Sequence, residues 1–143
     1  MRLTYFGHSC FLVETTKARL LLDPYLDDNP VSPVKAADVT CDYLLVSHGH
    51  DDHTGDVLKI AKRCGATVVA NYEIAEYFAA QGVKTHGMNP GGGYDFPFGR
   101  VKLTIAHHTS SLEAGLKPIY LGTPCGILVQ AEENPPQRLF ERR

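Results

Sequence analysis

The chain lacks the features that would direct it to a membrane, to the secretory pathway or to a nucleic acid. None of its apolar runs approaches the roughly 20 residues of a membrane span. The N-terminus enters a strand-like pattern at once, without the apolar core of a signal peptide. The formal net charge is only −2, with both signs interspersed, so neither a nucleic acid nor a membrane is an expected partner. We therefore expect a cytoplasmic protein.

Cysteine pairs and low-complexity tracts are also missing. The four cysteines, Cys10, Cys41, Cys64 and Cys125, stand far apart and form no C-x-x-C pair. This spacing is typical of reduced, buried thiols rather than of a disulfide scaffold or a second metal site. With 143 residues, 43% of them hydrophobic, the chain fits one folded domain with a modest core.

Hydrophobic periodicity predicts a mixed sheet with flanking helices. Residues 2–23 contain three short apolar runs separated by turns, which indicates an antiparallel meander. Strands and helices then alternate, a pattern that favours the α/β class with helices packed on the sheet. The predicted elements are a loop with one helical turn at 24–42, strands at 43–46, 67–70, 101–106 and 126–130, helices at 57–63 and 73–80, and a turn-rich hairpin region at 87–99.

The most informative segment is the sequence HGHDDH at residues 48–53, which follows the predicted strand at 43–46. It places three imidazoles and two carboxylates within six residues, a set that is costly to crowd together unless a cation gathers it. Neutral imidazole and carboxylate are good ligands for divalent metals. The segment therefore predicts a site for one or two metal ions. Zinc is the expected ion, and manganese, iron and nickel are the alternatives.

A second histidine pair can complete this site. His48 and His50 can both face one ion from a tight loop, whereas Asp52 and His53 can turn towards a neighbouring position. His107 and His108 follow another predicted strand, and on an extended segment only one of them would face the metal. Spacing alone does not choose between these two.

The motif and its surroundings resemble a known family. The segment at 47–53 is similar to the His-x-His-x-Asp-His signature of the metallo-β-lactamase superfamily. Four further motifs resemble its bacterial and archaeal branch of metal-dependent hydrolases, related to the ascorbate-phosphate lactonases: GHSCFL at 7–12, LDPY at 22–25, MNPGG at 88–92 and AHHTSS at 106–111. The resemblance runs from residue 1 to about residue 130.

The resemblance implies an αββα sandwich, of which this chain is the N-terminal portion, and a set of site residues. The implied roles are a first metal on His48, His50 and His108, a second metal on Asp52 and His53, and a supporting carboxylate at Asp23. The implied reaction is attack of a metal-bound water on a small ester, lactone, amide or phosphoester, with Asp52 as the catalytic carboxylate. His8 and Tyr25 are expected to line the pocket, although a histidine in a turn can equally be structural.

The C-terminal end departs from the family pattern. Relatives are expected to continue to a bridging aspartate and a final histidine, but residues 126–143 contain neither Asp nor His. We therefore expect an incomplete metallo-β-lactamase-like domain at 1–130 and a divergent polar tail at 131–143, from truncation or a frameshift. A naturally short variant is the alternative. Such a chain would hold the second metal weakly and would expose a sheet face that favours homo-oligomers.

Three other functions compete with a small-molecule hydrolase. A non-catalytic metal-binding or interaction module could derive from the same fold. Nuclease activity is disfavoured because the chain has no basic stripe. A serine nucleophile at Ser110 or Ser111 is disfavoured because the only adjacent base, His108, would be occupied by the metal.

Overall fold

The computed structural model describes residues 1–131, and its central element is a six-stranded mixed sheet. The strands lie side by side in chain order: β1 (Arg2–Tyr5), β2 (Phe11–Glu14), β3 (Arg19–Leu22), β4 (Tyr43–Leu45), β5 (Thr67–Asn71) and β6 (Thr85–Met88). β1 to β3 are antiparallel, whereas β3 to β6 run parallel. The meander predicted at 2–23 and the mixed character of the sheet are therefore confirmed.

A second, smaller sheet packs against one face of the first. It contains β7 (Gly93–Phe96), β8 (Gly99–Ile105) and, after a hairpin of β9 (Ser111–Ala114) and β10 (Lys117–Tyr120), the strand β11 (Cys125–Ala131). These three strands are antiparallel in the order β11-β8-β7. Side chains of both sheets form one buried hydrophobic cluster that includes Leu20, Leu45, Phe98, Val101 and Leu103.

The helices cover the other face of the larger sheet. They are α2 (Val57–Cys64) and α3 (Tyr72–Ala79), with a 3-10 turn at Ala36–Asp38; the short α1 (Asp51–Thr54) precedes α2. Ile60 of α2 and Ile74 of α3 are fully buried in a second hydrophobic cluster with Leu21 and Leu44 of the sheet. The layers are therefore helix, sheet and sheet, which confirms the predicted α/β class.

Two local predictions differ from the structure. Asp51–Thr54 form a helical turn rather than a loop, because the Thr54 amide and hydroxyl both donate to the His50 carbonyl, at 3.0 and 2.9 Å. Residues 85–88, not predicted as a strand, pair with β5. His86 of this strand is half-buried and packs its ring against Tyr94 at a centroid distance of 4.2 Å.

The cysteines behave as predicted. All four are free thiols, and burial raises the pKa of both Cys10 and Cys41 to about 12. Within residues 1–131 no helix is long and apolar enough to cross a bilayer. The predicted tail at 131–143 lies outside the described residues, except for Ala131 at the end of β11.

Candidate metal centre

The candidate site lies at the sheet edge where three strands end together. The register aligns Tyr5 of β1, Phe11 of β2, Leu22 of β3 and Leu45 of β4 across the sheet. Because β1, β3 and β4 run in the same direction, the segments that follow them emerge at one edge. These segments carry His8, Asp23 and residues 47–53, and the segment after β8 reaches them through a hydrogen bond from the Gly49 amide to Ser110 Oγ at 3.0 Å.

Three of the predicted histidines converge on one point. His48, His50 and His108 each offer a ring nitrogen, and these three atoms lie within 4.8 Å of one another. His48 Nε2 and His50 Nδ1 are 3.1 Å apart, close to the ~3.4 Å expected for two nitrogens bound at about 2.1 Å to one tetrahedral zinc ion. The structure places His108, and not His107, in this cluster. The donor set therefore fits a divalent metal ion.

Asp23 orients two imidazoles through its buried carboxylate. The Ser47 amide and hydroxyl donate to it at 2.7 and 2.6 Å, and His53 Nδ1 donates to it at 3.0 Å. Since the single Ser47 hydroxyl proton points to Asp23, Ser47 Oγ accepts a hydrogen bond from His48 Nδ1 at 2.9 Å. Both rings therefore carry their proton on Nδ1 and leave the Nε2 lone pair free for a cation.

His50 differs from His48 in that its Nδ1, and not its Nε2, faces the cluster. Its Nε2 lies 3.2 Å from Thr109 Oγ1, which can accept a hydrogen bond from the protonated Nε2, so that the Nδ1 lone pair points towards His48. Thr109 and Ser47 were not singled out from the sequence as partners of these histidines. Their signal was only their position beside the histidines, at the ends of two predicted strands.

The electrostatic environment keeps His48 neutral. Burial, followed by the neighbouring ring of His53, lowers the pKa of this imidazole from 6.5 to about 4. The Asp23 carboxylate opposes part of this change. At pH 7 the ring is therefore neutral, which is the form that binds a metal.

A second group of donors lies beside the first. His8 Nε2 is 3.0 Å from Asp52 Oδ2, and His53 Nε2 is 3.9 Å from Asp52 Oδ1. One donor atom from each of the three side chains lies within 4.8 Å of the other two. The ring centroids of His53 and His48 are only 4.0 Å apart, so the two groups are adjacent.

The loop that carries Tyr25 is fixed by the carboxylate of Asp56, a residue that was not predicted from the sequence. Asp56, which is 3% exposed, accepts hydrogen bonds from the Leu26 amide at 2.6 Å and the Asp27 amide at 3.1 Å. Lys59 pairs with Asp56 at 2.7 Å, and its bonds to Asp27 and Asp56 raise the pKa of its ammonium group. These contacts fix the loop after β3, so that Tyr25 lines a cavity with His50 and Asp52.

Two cavities flank the histidine cluster and differ in chemistry. The first, of about 730 Å³, contains His107 and His108 and is walled by Ile105, Pro118, Tyr120 and Pro124. The second, of about 700 Å³, contains His50 and Tyr25 and is lined by four acidic residues, Asp28, Asp51, Asp52 and Glu113. Among the described residues, neither lining includes a lysine or an arginine.

Gly49 is required by the close packing of the histidine loop. A Cβ at this position would lie 2.8 Å from the Cβ of Leu121, which is 3% exposed and has little room to move. We expect Gly49→Ala to displace the loop, to weaken zinc binding at least tenfold and to cost about 1–3 kcal/mol of stability. Metal titration and thermal unfolding would measure both effects.

The matched control for this prediction is the double variant Gly49→Ala/Leu121→Gly, which removes the whole clashing side chain, including the Cβ that lies 2.8 Å away. Zinc affinity should recover in the double variant, although the lost core side chain lowers its stability further. Unchanged zinc affinity in Gly49→Ala would contradict the proposed close approach.

Comparisons with known proteins show the family of the chain. The model of the metallo-beta-lactamase superfamily matches residues 3–134. A metal-dependent hydrolase of Heliobacterium modesticaldum is 50% identical over 129 residues, covering 90% of this chain and 54% of that protein. One of Opitutus terrae is 50% identical over 133 residues, covering 92% of this chain and 59% of that protein. The chain thus spans little more than half the length of these curated relatives.

A solved structure shows the same fold. Igni18, described as a novel metallo hydrolase from the archaeon Ignicoccus hospitalis, superposes with a TM-score of 0.80 at 32% sequence identity. The match covers 92% of this chain and 56% of that protein.

Proposed function

The chain belongs to the metallo-beta-lactamase superfamily, and we propose that it acts as a metal-dependent hydrolase of a small neutral ester or lactone. The observation that carries this proposal is the convergence of three ring nitrogens, from His48, His50 and His108, within 4.8 Å of one another beside two cavities. A divalent ion held there, zinc being the expected one, would lower the pKa of a bound water towards neutrality.

The residues of this chain supply the remaining chemistry. Ser47 accepts a hydrogen bond from Nδ1 of His48, and Asp23 accepts one from Nδ1 of His53, so both protons face away from the donor clusters. The side chain of Asp52 is 46% exposed and lines the acidic cavity, so that it can reach a water molecule or substrate there. We assign Asp52 the role of orienting that water and accepting its proton.

The cavities favour a neutral substrate over a phosphoester. Phosphate groups are recognised in proteins by arginine, lysine and similar donors, and none of these cations lines either cavity among the described residues. The carboxylates of Asp28, Asp51 and Glu113 would repel an anionic group. The apolar walls of Ile105, Pro118 and Tyr120 instead suit a hydrocarbon substituent.

A paired substrate assay tests this proposal. The zinc-loaded chain is expected to hydrolyse p-nitrophenyl butyrate in a metal-dependent reaction and to leave bis(p-nitrophenyl) phosphate uncleaved above the metal-free background, because the acidic cavity would repel the phosphodiester. Release of p-nitrophenolate measures both rates, and a chelator-treated sample is the control for metal dependence. Faster cleavage of the phosphodiester would contradict the substrate class. Bound zinc without turnover of either ester would favour the non-catalytic metal-binding module.

A further inference from the structure

The turn between β1 and β2 brings one more imidazole to the metal centre than the sequence motif contains. We propose that His8 is a metal ligand that joins Asp52 and His53 in a second cation site. This inference rests on the proposed metal-dependent function. It assigns to this chain's own N-terminal turn a position that the HGHDDH motif leaves unfilled.

The geometry of the three donors supports a shared ion. His8 Nε2 lies 3.0 Å from Asp52 Oδ2, and the rings of His8 and His53 have their centroids 5.0 Å apart. His53 Nδ1 is bound to Asp23, so His53 Nε2 is the nitrogen that faces Asp52 and His8. Two neutral imidazoles and one carboxylate are a suitable ligand set for zinc, manganese or iron.

The backbone of the turn holds His8 in this position. His8 adopts a φ of 54°, in the left-handed region that few residues other than glycine occupy. Its carbonyl accepts a hydrogen bond from the Tyr5 hydroxyl at 3.0 Å. The side chains of His8 and Asp52 are 39% and 46% exposed, and an ion pair with that exposure contributes little to stability. A cation bound by both side chains would explain why His8 and Asp52 are held together, whereas the energy of the ion pair alone would not.

The second donor group is adjacent to the first. The ring of His53 lies 4.0 Å from that of His48, and Asp52 and His53 share the helical turn α1. Two neighbouring ions that act together on one water and one substrate are a common arrangement in hydrolytic enzymes. His8 therefore supplies the third ligand for a second ion from a segment 40 residues upstream of the motif, counting from His8 to His48.

Zinc titration of the purified full chain tests the proposal. We expect the unmodified chain to bind two equivalents with separable affinities, as measured by competition with a chromophoric chelator and by elemental analysis. His8→Asn should keep the first equivalent at unchanged affinity and weaken the second by about 100-fold or more, since even outer partners of metal ligands are worth 10–100-fold. Asparagine tolerates the left-handed backbone, so this variant removes the imidazole while preserving the turn.

The matched control is His107→Asn, because His107 is an exposed histidine that lies outside both donor groups. It should bind both equivalents as the unmodified chain does. Two equivalents of unchanged affinity in His8→Asn would overturn the proposal and leave His8 as a partner of Asp52 only. A single equivalent in the unmodified chain would overturn the second site but leave the hydrolase proposal intact. No bound zinc at all would overturn both.

Discussion

Simultaneous replacement of His48 and His50 by alanine is expected to abolish tight binding of the first metal ion. The two imidazoles supply two of the three nitrogens that converge within 4.8 Å, so the remaining His108 cannot hold the ion alone. We expect zinc affinity at this site to fall more than about 100-fold, because the variant removes ligands and not only their supporting contacts. Metal-dependent ester hydrolysis should disappear with it.

The control for this variant is His86→Ala/His107→Ala, which also removes two imidazoles but leaves both donor groups intact. Elemental analysis after gel filtration would compare the zinc content of the two purified variants. Circular dichroism would show whether both retain the fold. Unchanged zinc content in His48→Ala/His50→Ala would reject the assignment of these histidines as ligands.

The local chemistry of the site could be predicted because it is encoded in one short segment. The residues at 48–53 are metal-binding types in close succession, and their position after a buried strand places them at a sheet edge. The role of Asp23 was instead implied by the family resemblance, and its position directly after β3, the parallel neighbour of β4, places it at the same sheet edge. Local sequence alone was sufficient to predict the metal-binding residue types at 48–53.

Spacing alone did not choose between His107 and His108, but the family resemblance implied His108, and the structure places the ring of that residue in the cluster. The alternation rule applies to extended segments, but β8 ends at Ile105, and residues 106–108 have left the strand before the histidines occur. Which ring turns inward depends on the hydrogen bonds of the following segment. The Ser110 hydroxyl accepts from Gly49 and donates to the Leu121 carbonyl at 3.1 Å.

Contacts between distant segments of the chain explain the remaining differences between prediction and structure. Only Met88 is buried in β6, and Gly87 interrupts its apolar pattern, so the segment reads as a turn. In the fold the same glycine faces α3, where a Cβ would lie 3.4 Å from Tyr72 and Ala75, in van der Waals contact. His8 was placed only generally in the pocket, because its contact with Asp52 depends on the register that aligns β1 with β4.

The register also explains why Asp23 is the most consequential residue that is not itself a proposed ligand. It sits at the sheet edge between the turn that carries His8 and the loop that carries the motif. Its φ of 42° is in the left-handed region, and its carboxylate binds Ser47 and His53 at once. The buried carboxylate of Asp23 thus determines which ring nitrogen carries the proton in His48 of the first donor group and in His53 of the second.

Substitution of Asp23 by asparagine is therefore expected to weaken zinc binding strongly while leaving the fold largely intact. Asparagine tolerates the left-handed backbone and can still accept from the Ser47 amide. Its NH₂ group, however, would replace the acceptor that now faces the Ser47 hydroxyl and His53 Nδ1. The Ser47 proton would then turn to His48 Nδ1, and both rings would carry their proton on Nε2, where the metal should bind.

The comparison with Asp23→Ala separates this tautomer effect from a simple loss of stability. Alanine leaves the buried donors of Ser47 and His53 without an acceptor, at a cost of about 1–3 kcal/mol of stability each. Its backbone would also be strained in the left-handed region, at the φ of 42° that Asp23 adopts. We expect urea unfolding to show a large destabilisation for Asp23→Ala and a small one for Asp23→Asn, whereas zinc affinity falls at least tenfold in both. If Asp23→Asn binds zinc as tightly as the unmodified chain, the hydrogen bonds of Asp23 do not determine which nitrogen of each ring is free to bind metal.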